Sequence, residues 1–313
     1  MKLIDSLTKF FVLVLGLLTA STVGLAQPAT ITLPVTAVDK KTNVGVTFRK
    51  DQINLFLGDK EQEITEIVSA DTPTKIVFMV DYSGSMRQTF SDPTKIKIAF
   101  MQFFQAPNSA NEYGLIAFNE DAALIRDWTK KPEEIISGLD SLTAQKPQGK
   151  TALFDSLVKS MHYLSRRDSG KKALVLITDG VDKNSMLKRQ EIAAKIGEYQ
   201  IPLYCVFLDN SESESSGLFG SSTATTARNT LIEMGKNTGG DMISVTKVAD
   251  LEKAFTKIGN LIRHQFLVKF ISNAGKDDKR VNIKLKFFSS TNSSQEMDNL
   301  KVLYPQYYVA RKP

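Results

Sequence analysis

Residues 75–86 read KIVFMVDYSGSM, and they give the clearest indication of the fold class. The run from Ile76 to Val80 is continuously apolar and is followed by turn residues, which is typical of a strand buried on both faces of a sheet. Apolar residues then recur at helical spacing, at Ile96, Ala99, Phe100, Phe103 and Phe104. A buried strand followed by a helix of this kind indicates the first βα unit of a parallel sheet.

The alternation of strands and helices continues to residue 264. Further strands are predicted at 112–119, 122–128, 172–179, 201–209 and 242–245. Helices are predicted around 153–164, 192–196, 227–237 and 251–262. The third of these helices ends in Gly239-Gly240, a helix-stop signal. The pattern predicts a doubly wound, Rossmann-like α/β domain over residues 74–264, with a mainly parallel central sheet and helices on both faces.

Two β-rich segments flank this domain, at residues 27–73 and 265–313. The first predicts three or four short strands, and the second contains the strand-like runs FLVKFIS, RVNIKLKFF and NLKVLYPQYYV. Because chain termini are often close in space, we expect the flanks to form one β-rich accessory unit, although two separate extensions would give the same pattern. The Ser- and Thr-rich residues 210–226 predict a mobile surface loop.

Residues 1–26 have the organisation of a secretory signal peptide. Lys2 and Lys9 precede the apolar run FFVLVLGLL, and Gly24 and Ala26 supply small side chains before a cleavage point. An uncleaved membrane anchor is the alternative, but the run is shorter than the roughly 20 residues that span a bilayer. We therefore expect an exported protein, periplasmic or secreted, with no stable membrane insertion after cleavage.

Composition excludes several classes of protein. The 313 residues are 42% hydrophobic and 24% charged, which argues against collagen-like, coiled-coil or wholly disordered chains. The formal charge of +6 has no long basic run behind it, so the sequence predicts neither a basic patch nor a nucleic-acid partner. One cysteine and two histidines exclude an internal disulfide and make zinc or His-based chemistry improbable. We interpret Cys205 as a small buried apolar residue.

Oxygen-bearing side chains follow the predicted strands. Asp81, Ser83 and Ser85 alternate after the first strand, Thr151 precedes a helix, and Asp179 follows the strand KALVLIT. In doubly wound folds, ligands bind beyond the carboxyl ends of the strands. Two carboxylates and three hydroxyls are hard ligands that suit Mg²⁺, Mn²⁺ or Ca²⁺ and suit zinc poorly.

These segments resemble the von Willebrand factor type A domain. VFMVDYSGSM is similar to the Asp-x-Ser-x-Ser signature of that family, GKTALFDSL to its threonine loop, and VLITDGVD to its second aspartate loop. The resemblance covers residues 74–264, and the wider layout resembles bacterial exported proteins of the VWFA-related type. It implies a metal-ion-dependent adhesion site made by Asp81, Ser83, Ser85, Thr151 and Asp179.

The resemblance also implies a function. The three hydroxyls would coordinate a divalent cation, with Mg²⁺ the first expectation and Mn²⁺ or Ca²⁺ the alternatives, and Asp81 and Asp179 would bind it directly or through water. The open coordination position would take a carboxylate from a partner protein, so the output is adhesion-type binding and not catalysis. From their loop positions, Met86 and Asn119 are predicted to lie on the partner-binding rim.

Three rival interpretations use other features. Residues 144–151, AQKPQGKT, loosely match a phosphate-binding loop in which Lys150 and Thr151 would serve an NTPase. Against it, a helix and not a strand precedes the loop, Pro147 interrupts it, and an exported compartment normally lacks ATP. A hydrolase would need a base near Ser83 or Ser85.

The available bases do not favour a hydrolase. His162 and His264 lie in or at the end of predicted helices, no G-x-S-x-G elbow is present, and Asp182 is interpreted as solvated. The remaining rival is a metal-indifferent scaffold of an envelope assembly. A C-terminal aromatic strip could dock such a partner, or it could pack the β flank; it comprises Tyr304, Tyr307 and Tyr308.

Overall fold

The computed structural model describes residues 30–105, 108–209, 220–272, 280–289 and 296–309. The predicted signal peptide lies outside these ranges, as do residues 210–219 of the predicted loop. The rest of that loop, residues 220–226, is helical, so the loop prediction is wrong there. Within the described ranges, no helix combines the length and the apolar character needed to cross a bilayer.

Strands and helices follow one another in the predicted order. The first flank contributes β1 (Thr30–Asp39), β2 (Ile53–Leu57), β3 (Lys60–Gln62) and β4 (Ile64–Val68). The central strands are β5 (Thr74–Asp81), β6 (Glu112–Phe118), β7 (Ala122–Thr129), β8 (Lys171–Thr178), β9 (Leu203–Leu208) and β10 (Asp241–Val245). The helices are α1 (Pro93–Phe103), α2 (Pro132–Thr143), α3 (Leu153–Ser165), α4 (Arg189–Gly197), α5 (Gly220–Thr238) and α6 (Leu251–Arg263). The last flank contributes β11 (Gln265–Ile271), β12 (Arg280–Phe287), β13 (Leu300–Leu303) and β14 (Tyr307–Val309).

The central sheet is doubly wound, as the sequence predicts. Its order is β10-β9-β8-β5-β6-β7, and every pairing is parallel except that of the edge strand β7 with β6. Each face carries its own apolar core: Phe100, Ile135 and Phe255 lie in one, and Leu157 and Leu231 in the other. Helices α1, α2 and α6 therefore cover one face, and α3, α4 and α5 cover the other.

The accessory unit is built by both flanks together. One sheet has the order β13-β1-β11-β4 and the other β14-β12-β2-β3, so strands from the two ends of the chain pair in both sheets. Apolar side chains of the two sheets form one buried core, including Leu33, Leu55 and Val268. Two separate extensions are thereby excluded. Tyr304 and Tyr308 pack against this core, as the packing interpretation of the aromatic strip expects.

Candidate metal centre

The two predicted acidic ligands stand at the carboxyl ends of adjacent strands. β5 pairs with β8 in a register that sets Val80 beside Ile177. Asp81 is the last residue of β5, and Asp179 directly follows β8. The chain moves from β5 toward β6 on one side and later returns to β8 on the other. This is the point where strand order reverses, and loops there diverge to leave a crevice.

The carboxyl group of Asp81 is fully buried. Its Oδ1 accepts a hydrogen bond from the Ser83 amide at 3.0 Å, and its Oδ2 accepts one from the Thr178 hydroxyl at 2.6 Å. Burial, together with the negative charge of Asp179, raises the pKa of Asp81 from 3.8 to about 6. The charged group that acts on Asp81 is thus a second carboxylate and not a cation. When Asp81 and Asp179 are both ionised, the site carries two negative charges, which a divalent cation would offset.

Two of the predicted hydroxyl ligands already lie together. Ser83 Oγ and Ser85 Oγ are 3.2 Å apart. In an octahedral Mg²⁺ site with Mg–O distances of about 2.1 Å, neighbouring ligands are separated by about 3 Å. The spacing of the two hydroxyls therefore fits adjacent positions around such an ion. Ser83 is buried and Ser85 is exposed, so the site opens to solvent on the Ser85 side.

Backbone hydrogen bonds hold the loop that carries Thr151 against the loops that carry Asp81 and Asp179. The Gly149 carbonyl accepts a bond from the Gly84 amide at 3.0 Å, and the Thr151 carbonyl accepts bonds from Lys183 and Asn184 at 2.8 and 3.0 Å. Gly149 has a φ of +81°, a conformation that glycine adopts without steric cost. The buried Thr151 is thus fixed between the Asp81 loop and the Asp179 loop.

Asp182 fixes the start of α3 and is not a solvated carboxylate. Its Oδ1 accepts hydrogen bonds from the Leu153 amide at 2.8 Å and from the Ser185 hydroxyl at 2.6 Å. The solvated interpretation is therefore wrong: a carboxylate here satisfies an amide at a helix N-terminus, where negative charge is favourable. Nothing in the local sequence around Asp182 reveals this, because the helix it caps begins 29 residues earlier.

Asp182→Ala is expected to lower the free energy of unfolding by about 1 kcal/mol, the usual cost of losing an N-terminal cap. The measurement is urea denaturation followed by circular dichroism. Asp168→Ala is the control, because the Asp168 side chain is 75% exposed in its pair with Lys75, and solvent-exposed ion pairs contribute little to stability. Equal stabilities of the Asp182→Ala variant and the wild type would contradict the capping role.

The two predicted rim residues have different environments. Met86 is fully buried in the core beneath α1 and α6, so the rim prediction for Met86 is wrong. The 3₁₀-turn Gly84–Arg87 directs its side chain inward. Asn119 is partly exposed and donates from Nδ2 to the Gln148 carbonyl at 3.2 Å. It lies beside the loop of Thr151, and its contact with a partner stays a prediction.

One residue of the site was missed by sequence reasoning. Thr178 is fully buried, donates to Asp81, and accepts the Gly180 amide at 2.9 Å. It therefore links the ends of β5 and β8. Its position directly before Asp179 in a predicted strand was the available signal, because side chains of neighbouring parallel strands meet at the same edge of the sheet.

The donor set fits a hard cation. Across the described parts of the chain, no three His, Cys, Asp or Glu side chains come together as a metal site. The candidate ligands remain the two carboxylates and three hydroxyls predicted from the sequence, which match Mg²⁺ better than zinc. Cys205 is fully buried in β9, in agreement with its predicted apolar role.

The residues that the hydrolase and NTPase interpretations need do not come together at the carboxyl edge of the central sheet. His264 follows α6, and its charged neighbours include Lys171 and Asp71, near the amino ends of β8 and β5. His162 lies in the last turn of α3, which starts two residues after Thr151 and ends near the beginning of β8. In the described chain, the segment before Lys150 comes from helix α2 and includes no strand, contrary to the layout of a phosphate-binding loop.

The chain is similar to several solved structures at low TM-scores, and one family sequence model matches part of it. Among curated proteins, none is significantly similar in sequence. An aerotolerance-related membrane protein of Bacteroides fragilis is similar in structure, with 19% identity, a TM-score of 0.46, and coverage of 60% of this chain and 98% of that one. A von Willebrand factor type A protein of Catenulispora acidiphila shares 10% identity at a TM-score of 0.48, over 86% and 75% of the two chains.

A third solved structure is proximal thread matrix protein 1 from the mussel byssus, described with a zinc-occupied MIDAS motif. It shares 15% identity at a TM-score of 0.47, over 65% of this chain and 48% of that one. These identities and TM-scores are too low to assign the ligand or the partner of any of these proteins to this chain. The sequence model of the von Willebrand factor type A domain matches residues 76–181, a range that includes all five predicted ligands, and the resemblance to this family is confirmed over these residues.

Proposed function

We propose that this domain binds a divalent cation, Mg²⁺ in the first place, and uses it to capture an acidic side chain of a partner protein. The match to the von Willebrand factor type A domain implies a protein-binding module rather than a catalytic one. The observation that carries the proposal is the buried Asp81, coupled to Asp179 and next to the paired hydroxyls of Ser83 and Ser85. Thr151 would complete the ligand set.

The donor chemistry supports capture of a carboxylate. Asp81 and Asp179 together neutralise a divalent ion, and the hydroxyls of Ser83, Ser85 and Thr151 are neutral. The ion would therefore keep its attraction for one more anionic oxygen. Mn²⁺ and Ca²⁺ accept the same donors and are the alternatives. The exposure of Ser85 supports approach of the partner from that side.

The cellular setting is also part of the proposal. The basic, apolar and small-residue segments of residues 1–26 support export to the periplasm or the medium.

A metal-indifferent scaffold is the second candidate function, and the backbone hydrogen bonds from Gly84 to Gly149 and from Lys183 to Thr151 favour it. These hydrogen bonds join the three loops directly, so the loops need no bound ion to stay together.

Binding of Mg²⁺ is expected to weaken as pH falls through 6. The raised pKa of Asp81, about 6, means that protons compete with the cation for this carboxylate below that pH. In the limit of one displaced proton, affinity drops about tenfold for each further pH unit. Isothermal titration of the full chain with MgCl₂ at pH 7.5, 6 and 5 measures this. An affinity that stays constant from pH 7.5 to 5 would exclude Asp81 as a ligand.

Chelation separates the two candidate functions. Immobilised protein is incubated with an envelope extract in Mg²⁺ or in EDTA, and captured proteins are compared. A partner retained in Mg²⁺ and released by EDTA supports metal-mediated capture, provided that Ser85→Ala also loses it. A partner retained equally in EDTA supports the scaffold.

A further inference from the structure

Four exposed cations stand on the loops that form the candidate metal centre, and we call them the basic collar: Arg87, Lys146, Lys150 and Lys183. Arg87 follows the Ser85 turn, and its Nε donates to the Pro147 carbonyl at 2.9 Å, which ties it to the loop bearing Lys146 and Lys150. The Lys183 amide donates to the Thr151 carbonyl at 2.8 Å. The four residues therefore lie on all three loops of the site.

The collar cations are not neutralised by ion pairs. Some exposed cations elsewhere on the domain do have acidic partners, such as Lys159 with Asp121 and Lys131 with Glu134. Over the described residues, none of the four collar side chains forms such a pair. Their charge is therefore available to a ligand in solution.

Few carboxylates on these loops could balance that charge. Asp182 is held at the start of α3. Glu120 is exposed, and its Oε1 accepts the Lys150 amide at 3.2 Å. Asp81 and Asp179 would be offset by the bound cation. Among the described residues outside ion pairs, these loops carry the four collar cations against two carboxylates once the ion is in place, so these loops have an excess of positive charge.

We propose that the basic collar selects a partner segment that carries several carboxylates, one for the metal and others for the collar. The inference rests on the proposed function and adds the partner's charge pattern to it. Charge complementarity around a contact raises the association rate and rejects partners of the wrong sign. Exposed pairs of this kind are screened by salt. In this proposal Lys150 attracts carboxylates of the partner, and not the nucleotide phosphates that a phosphate-binding loop would hold.

Peptide binding to the full chain tests the collar. Two fluorescent probes are compared in MgCl₂: SGGDGGS, with a single carboxylate side chain, and EEGDGEE, in which glutamates flank the same aspartate. Fluorescence anisotropy is read at low and at high NaCl. We expect the glutamate-flanked peptide to bind about tenfold tighter at low salt, and the difference to shrink several-fold at high salt.

A matched pair of variants isolates the collar. The first is Arg87→Gln, Lys146→Gln, Lys150→Gln and Lys183→Gln together, which should remove the preference for the flanked peptide. The control makes the same change of net charge at exposed lysines away from the site: Lys41→Gln, Lys60→Gln, Lys257→Gln and Lys284→Gln. It should keep the preference. Calorimetric titration with MgCl₂ on both variants reports on the metal site separately.

The outcomes distinguish the inference from the proposed function. Absent Mg²⁺ binding in the wild-type chain overturns the proposed function. Intact Mg²⁺ binding with equal affinities for the two peptides overturns the collar inference alone, as does an equal loss in the control variant. A polyanion, tested as single-stranded DNA or heparin in EDTA, that binds more tightly than the flanked peptide in Mg²⁺ would also overturn it, because the collar would then serve phosphate or sulfate.

Discussion

Asp81→Asn is expected to lower Mg²⁺ affinity on the order of 100-fold or more and, in the metal-free protein, to increase stability at neutral pH. The change keeps the shape of the side chain but removes the buried charge that the cation needs. The amide oxygen can still accept the Ser83 amide, and the Thr178 hydroxyl, which now donates to Asp81, can rotate to accept from the new amide group. We therefore expect the fold to be retained.

The stability effect follows from the raised pKa of Asp81. Its folded-state pKa of about 6 exceeds the ordinary 3.8, so between these values the folded state binds the proton more tightly than the unfolded state does. The contribution of Asp81 to the free energy of unfolding is full below about pH 4 and is lost as pH rises through 6. At pH 7.5, Asp81→Asn should thus be more stable than wild type, on the order of 3 kcal/mol.

The measurements are MgCl₂ calorimetry and urea denaturation in EDTA at pH 7.5 and 4. The stability difference should be present at pH 7.5 and nearly absent at pH 4, because wild-type Asp81 is then protonated. Asp168→Asn makes the same charge change at the amino end of β8 and should leave both properties unchanged. A Mg²⁺ affinity within threefold of wild type would show that Asp81 is not a ligand.

Gly240→Ala is expected to destabilise the protein on the order of 3 kcal/mol. Gly240 follows α5, and a Cβ at this position would lie 2.0 Å from the Leu203 carbonyl oxygen and 2.5 Å from its carbonyl carbon. These are backbone atoms of β9, so relief requires the end of α5 to move away from the sheet. Thr238 holds that end in place, because its hydroxyl accepts the Leu203 amide at 3.0 Å.

The measurement for Gly240→Ala is urea denaturation together with the thermal midpoint. Gly197→Ala, at the end of α4, is the matched control: its nearest neighbour, the Asn237 carbonyl oxygen, is at an ordinary 3.8 Å. Alanine there should be neutral or stabilising by about 0.5–1 kcal/mol. If both alanine variants change the free energy of unfolding equally, the close approach of Gly240 to Leu203 does not determine stability.

The end of α5 shows how far sequence reasoning extends. The Gly239-Gly240 pair predicted a helix stop, and Gly239 has a φ of +80° with its amide bonded to the Lys236 carbonyl, while the Gly240 amide reaches Gly235. This is the bonding of a Schellman cap. The need for glycine at Gly240 comes instead from Leu203, a contact that no local pattern contains.

The start of the same helix was not predictable from composition. Residues 220–226 are Ser- and Thr-rich, and the described side chains there are mostly exposed, so no apolar stripe indicates a helix. Buried Leu231 and Met234 anchor α5 on the core further along. Tertiary packing of the second half thus overrides the weak helical preference of the first half.

The α/β order, the parallel sheet and the all-oxygen character of the candidate site can be inferred from the amino-acid sequence alone. Buried parallel strands are uninterrupted apolar runs, and the side chains that follow them must meet at one edge of the sheet. The pairing of β1 with β11, the inward direction of Met86 and the raised pKa of Asp81 are visible only in the folded chain. It also assembled the basic collar, although the chain has no basic run. These properties depend on contacts between segments far apart in the chain, and local patterns do not encode such contacts.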